Sequence, residues 1–134
     1  MMISTRGRYG LRVMLDLAEH AGEGYMPMKE VASRQGVSLG YLERILPVLV
    51  KNDIIDGIQG KGGGYRLSRK PEDYTLGEIL RLTEGTLAPV SCLECGAAPC
   101  DRAADCRTQP IWRELDRRIN EYLDSVTLAD LLKN

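Results

Sequence analysis

Four cysteines are the residues of this 134-residue chain best suited to chemistry, and all of them fall inside one stretch, CLECGAAPCDRAADC, as Cys92, Cys95, Cys100 and Cys106. Glycine, alanine, proline and charged residues fill the gaps, so the stretch reads as a loop that can gather thiolates around one centre. Thiolates favour zinc or an iron-sulfur cluster over hard cations. Zinc usually takes two Cys-x-x-Cys knuckles, and this chain has one. The bacterial ferredoxin spacing does not match either. Spacing alone therefore leaves a cluster, zinc, and redox-active or inert thiols all open. No nucleophile-base pair is visible, and the sole histidine, His20, reads as a surface residue of the first helix, so the chain is not read as an enzyme.

A second constellation carries binding rather than bond chemistry. The stretch from Met28 to Leu67 has the period of two helices and a hairpin. Val31 and Ala32 lie on one face of a short helix that stops at Gly36. Ser38 then caps a second helix, in which Leu42, Ile45, Leu46 and Leu49 form the inner face. Leu39, Gly40, Tyr41, Glu43 and Arg44 are left largely outside. Pro47 removes one backbone hydrogen bond, which predicts a kink or an early loosening. Asn52 and Asp53 close the helix; Ile54, Ile55 and Ile58 make a strand, residues 60–64 a glycine turn, and Tyr65, Arg66 and Leu67 the returning strand. A phosphate-cradling loop is the weaker reading of the glycines, because no Gly-Lys-Ser/Thr follows at the required spacing. The pattern is that of a winged helix-turn-helix, with Lys61 at the wing tip suited to phosphate or minor-groove contact.

Charge divides the chain in the same way. Residues 1–70 carry 11 Lys and Arg against 7 Asp and Glu, and residues 71–134 carry 7 against 12. The overall net charge of -1 thus conceals a basic half suited to DNA and an acidic half that holds the cysteines.

The remaining elements must position these two sites. Ser4 or Thr5 caps a first helix running to about Ala21, with Tyr9, Val13, Leu17 and Ala21 as its buried stripe and Met14 and Ala18 beside it. Arg6, Arg8 and Arg12 stand near its start, where cations oppose the helix dipole, so phosphate contact is the preferred role for them. Residues 22–27 and 68–74 read as connecting loops. Thr75 and Glu78 form a capping box for a helix with Leu76, Ile79, Leu80 and Leu82, expected to pack under the first helix. Thr108 is the expected cap of the last long helix, with Pro110 in its opening turn. Ile111, Leu115, Ile119, Tyr122 and Val126 form a stripe on it, flanked by Trp112 and Leu123. That stripe exceeds what a small winged domain needs, so it is read as a dimerisation surface. Thr127 and Asp130 open a short terminal helix carrying Leu128, Leu131 and Leu132.

The expected architecture is mainly α: a winged helix-turn-helix over 1–84, a cysteine-rich cluster-binding loop over 85–107, and a dimerisation helix with a short terminal helix over 108–134. No apolar run reaches membrane-spanning length and MMISTRGRYG lacks a signal-peptide core, so the expected location is cytoplasmic, without a membrane partner.

Taken together, STRGRYGLRVMLDLA, SLGYLERIL, GKGGGYRL, LTEG and the Trp-bearing helix after the cysteines closely resemble the bacterial winged-helix regulators typified by IscR, NsrR and CymR, over nearly the whole chain. The resemblance implies a homodimeric transcription factor, its long helices crossing at the interface and its recognition helices and wings presented to a pseudo-palindromic double-stranded operator. It implies Ser4, Arg6, Tyr9, Ser38, Gly40, Tyr41, Glu43, Arg44, Gln59, Gly60, Lys61 and Gly62 as the DNA-binding set. Cluster-bearing members hold iron and sulfur through three cysteines, and Cys92, Cys100 and Cys106 look like that trio, with Cys95 as a replacement or fourth ligand. IscR-like members have a histidine ligand three residues after the last cysteine, where this chain has Gln109. NsrR-like members take an acidic ligand from the partner's first helix, where this chain has Arg8. Both [2Fe-2S] and [4Fe-4S] therefore remain open. Gln59 stands where IscR-like proteins have a wing arginine. CymR-like regulators, which sense without a cluster, supply the alternative of zinc, thiol oxidation or a protein partner. A non-DNA-binding iron-sulfur carrier is the reading from a different class.

Overall fold

The computed structural model describes residues 2–94 and 96–133. Six helices and one hairpin follow in the order α1 (Thr5–Glu19), α2 (Met28–Gln35), α3 (Leu39–Lys51), β1 (Ile55–Ile58), β2 (Gly64–Leu67), α4 (Leu76–Glu84), α5 (Gln109–Ser125) and α6 (Leu128–Leu132), with short 3-10 turns at Pro71–Asp73 and Ser91–Leu93. The expected mainly helical winged fold is present. Among the described residues no helix is long and apolar enough to cross a membrane.

The helix ends follow local chemistry. Ser4 caps α1 by accepting from the Gly7 amide, Ser38 caps α3 by accepting from the Tyr41 amide, and Gly36 closes α2 in the left-handed conformation. The α3 helix continues through Pro47 to Lys51. Its inner residues Leu42, Ile45, Leu46 and Leu49 are buried against Val13, Met14 and Leu17 of α1, Val31 and Ala32 of α2, and Ile79 of α4. With no phenylalanine, this core is almost wholly aliphatic. Leu128 of α6 is fully buried in it, so the chain's last helix returns to the body that holds the helix-turn-helix. Thr127 and Asp130 form the capping box that turns the chain there.

Several expectations are corrected. The first helix stops at Glu19; His20 is its cap and Ala21 is exposed in the turn beyond. Residues 22–27 do more than connect, since Met26 exchanges both backbone hydrogen bonds with Tyr65 (2.8 and 2.9 Å) and so adds a one-residue third strand to the wing. Gly64 makes this approach feasible, because a Cβ there would collide with the Met26 carbonyl. The loop over 68–74 is not simply polar: Tyr74 is fully buried, its hydroxyl donating to the Ile54 carbonyl at 2.6 Å and accepting from the Arg69 amide at 2.8 Å. Burial pushes the Tyr74 phenol up, partly offset by the Arg69 contacts. Thr75 caps α4 through the Glu78 amide, but the Glu78 carboxylate receives Arg69 instead of closing a box. Thr108 makes no side-chain cap for α5; its hydroxyl lies against the Cys106 sulfur.

Candidate nucleic-acid interface and cysteine loop

The helix-turn-helix is fixed to α1 by a charged network that periodicity did not reveal. Asp16 is 1% exposed, and Arg34 grips it with Nε and Nη2 at 3.0 and 2.6 Å. Gln35 donates a further bond at 2.9 Å. Burial alone pushes the Asp16 carboxyl up; the Arg34 and Gln35 hydrogen bonds and the charge of Arg34 outweigh it and hold the group below the usual carboxylate range. Arg12 extends the network. Its guanidinium donates to the Gln35 side chain at 2.9 Å and the Gln35 carbonyl at 2.6 Å, and lies 5.0 Å over the Tyr9 ring. Arg12, expected at phosphate, is exposed and braces the end of α2, immediately before the turn into α3. The only sequence signal was an acid within an otherwise apolar helical stretch, which is also what a solvated face presents.

Tyr9 meets Tyr41 edge to face, with ring centroids 5.7 Å apart, so the first residues of α3 rest on α1. Gly40, Glu43 and Arg44 are exposed, Tyr41 is half-buried, and the Ser38 hydroxyl is engaged in the cap. The wing tip, with Gln59, Gly60, Lys61 and Gly62, is exposed as well. Arg6 is exposed at the start of α1. Ser4 faces inward: its amide and hydroxyl both donate to Glu84, at 2.9 and 2.7 Å. This carboxylate sits at the positive end of α1, where it is favourable to the helix dipole. It is also the last residue of α4, so the N-terminus of α1 is tied to the root of the cysteine loop.

In that loop Cys92 is half-buried in the 3-10 turn, Cys100 is exposed and Cys106 is half-buried just before α5. Cys95 lies outside the described residues. Among the described residues no three Cys, His, Asp or Glu side chains converge as a metal site. The donor set nevertheless suits a soft centre. The Cys106 thiol is drawn below its ordinary range, chiefly by the Thr108 hydroxyl 3.4 Å away, then by the Thr108 and Gln109 amides and by Arg102. That shift favours the thiolate which ligation requires.

The α5 helix splits its apolar residues between two faces. Arg81 of α4 holds one face, with a two-pronged ion pair to Asp124 (2.9 Å for each bond) and further bonds to Asn120 at 3.2 and 2.8 Å. Trp112, Ile119 and Leu123 are half-buried. Ile111, Leu115 and Tyr122 are 60%, 41% and 67% exposed, and no residue of α5 is fully buried. Val126 departs from the expected stripe: it ends the helix, and its carbonyl accepts from the Leu76 amide.

Comparisons with known proteins agree with this architecture. A family model described as Rrf2, iron-dependent transcriptional regulator, matches residues 3–134. The HTH-type transcriptional regulator IscR of Sodalis glossinidius is 36% identical over 134 residues, covering 100% of this chain and 80% of that protein. Protein rrf2 of Nitratidesulfovibrio vulgaris is 40% identical over 134 residues, covering 100% and 89%. Among solved structures, T. potens IscR superposes with a TM-score of 0.78 at 38% identity, over 99% of this chain and 87% of that one. The global cysteine regulator CymR of B. subtilis gives 0.78 at 37%, over 98% and 95%. The chain belongs to the Rrf2 family of helix-turn-helix transcriptional regulators.

Proposed function

We propose that the protein is a homodimeric, sequence-specific repressor whose operator binding is controlled by an iron-sulfur cluster. The observation that carries this reading is the placement, on one braced body, of an exposed α3 face and wing tip together with an apolar α5 stripe left in water. Two recognition helices would enter successive major grooves roughly 34 Å apart. Glu43 would accept from cytosine N4, while Arg44 reaches guanine or phosphate. Arg6 and Lys61 would contact phosphates or the minor groove, with Gln59, Gly60 and Gly62 shaping the tip. Ser38 and Tyr41 would set register, and Ser4 would act through Glu84 by orienting the start of α1.

Glu43→Ala is expected to change sequence preference, with a mismatch-scale cost of about 1–3 kcal/mol at one base position. Arg6→Ala should weaken all duplexes alike and shallow the salt dependence. Binding isotherms on operator and scrambled duplex at several salt concentrations check both. Equal loss on both duplexes for the two variants counts against the assignments.

Cys92, Cys100 and Cys106 would hold the cluster, with Cys95 as the candidate fourth ligand. When bound, a cluster supplies a centre whose charge and integrity respond to iron, oxidant or nitric oxide. The chain's own part is mechanical. The loop joins Glu84, which accepts from the α1 cap Ser4, to the start of α5, so a cluster held there would couple the N-terminus of α1 to the dimer helix. A tenfold change in operator affinity needs about 1.4 kcal/mol of such coupling. Anaerobic purification, a visible spectrum with iron and sulfide analysis, and operator binding before and after chelation test this. Cys100→Ala should keep the fold and the dimer and lose the response; an unchanged response refutes the sensing role. Zinc, thiol oxidation or a protein partner acting on the same dimer is the second reading, favoured by the Thr108 hydroxyl beside the Cys106 sulfur, which draws that thiol below its ordinary range.

A further inference from the structure

We propose that the cleft between the end of α1 and strand β2 binds a small organic carboxylate with an apolar body. The cleft encloses about 510 Å³, within the ~300–1,000 Å³ typical of small-molecule sites. Leu17, Met26 and Leu67 contribute apolar wall, and Arg66, Arg69 and Lys70 contribute charge. No aspartate or glutamate lines it, in a chain that carries 19 of them against 18 lysines and arginines. The carboxylates that meet Arg66 and Arg69, Asp56 and Glu78, lie outside this lining, and Lys70 has none among the described residues.

The three cations are not equivalent. Arg69 is satisfied, 2.6 Å from Glu78 and stacked 4.3 Å over Tyr74. Arg66 is held 4.4 Å over Tyr25, with only a 3.9 Å approach to Asp56, and both side chains are about half exposed. Lys70 has no ion-pair partner among the described residues. An anion would therefore meet one uncompensated ammonium and one pre-oriented guanidinium, while its body lies over the half-buried Tyr65 and Leu67. A duplex backbone has the charge but no apolar portion to fill such a hollow, so the shape favours a small molecule. Because Met26 and Tyr65 are hydrogen-bonded to each other and both line the cleft, an occupant would brace the wing against α1.

The test is a titration of the ¹⁵N-labelled full chain with 4-phenylbutyrate and with the neutral 4-phenylbutanamide, followed by amide shifts. Saturable shifts clustered at Gly22, Gly24, Ser68 and Lys70 are expected for the carboxylate. Binding should be about tenfold weaker for the amide and for Lys70→Glu, the effect of losing roughly 1.4 kcal/mol, and intermediate for Lys70→Gln. Equal affinity for acid and amide, undiminished binding by the Lys70 variants, or shifts centred on the α5 stripe would overturn the proposal. So would Lys70→Glu weakening duplex binding while the carboxylate fails to bind, which would assign this face to phosphate instead.

Discussion

Ile111→Glu combined with Leu115→Glu is expected to turn the proposed dimer into monomers and to lower operator affinity by roughly 10²–10⁴-fold, the avidity lost when two linked half-site contacts become independent. The reason lies in the partition of α5. Its inner face is held by Arg81 through Asp124 and Asn120, while Ile111, Leu115 and Tyr122 remain in water. Covering an aliphatic or aromatic side chain is worth about 1.5–3 kcal/mol, so a self-complementary stripe has a strong drive to meet its copy. Two carboxylates per chain would place four charges in that seam without partners. Since no α5 residue is fully buried within one chain, the variant should keep its fold and helicity, melting lower than the dimer because the stabilisation by association is gone. Sedimentation velocity checks the first half and operator titration the second. A variant that stays dimeric would move the interface elsewhere.

Asp16→Ala is expected to destabilise the folded protein by about 2–3 kcal/mol. Removing one member of a buried pair costs roughly 3–5 kcal/mol when the survivor is sealed from water; the Arg34 side chain is 35% exposed, so water recovers part of that. The pH dependence has a definite sign. The folded carboxyl lies below its unfolded value, so its contribution is complete above the unfolded value of about 3.9 and is lost as pH falls through the folded one. The stability gap between wild type and Asp16→Ala should therefore persist down to about pH 5, with His20 3.6 Å from the carboxylate, and close in more acid solution. Urea denaturation at a series of pH values measures it. A gap that widens on acidification would mean that Asp16 is not the stabilising anion the geometry indicates. The same substitution loosens Gln35 and Arg12, so operator affinity should fall even where the protein remains folded.

Much of the secondary structure was legible because its causes are local. The hydroxyls of Ser38, Thr75 and Thr127 reach amides three residues on, Gly36 ends α2 by its own backbone freedom, and the period of Leu42, Ile45, Leu46 and Leu49 identifies one inner face whatever lies opposite. The basic amino-terminal half and the clustered cysteines were equally plain, since charge and thiol count need no coordinates. The features that escaped depend on which surfaces meet. Tyr74 looked like a loop residue until Ile54 supplied a carbonyl for its hydroxyl. Asp16 drew no reading from the sequence, because its partner Arg34 comes from the next helix, and the hold of Arg12 on Gln35 is likewise a contact between two helices. Periodicity showed that α5 has apolar positions; only its docking through Arg81 separated the half-buried Trp112 and Leu123 from the exposed Ile111, Leu115 and Tyr122. Amphipathic pattern is a property of a segment alone, whereas burial and pairing belong to two segments at once, and that second partner is supplied by the tertiary structure.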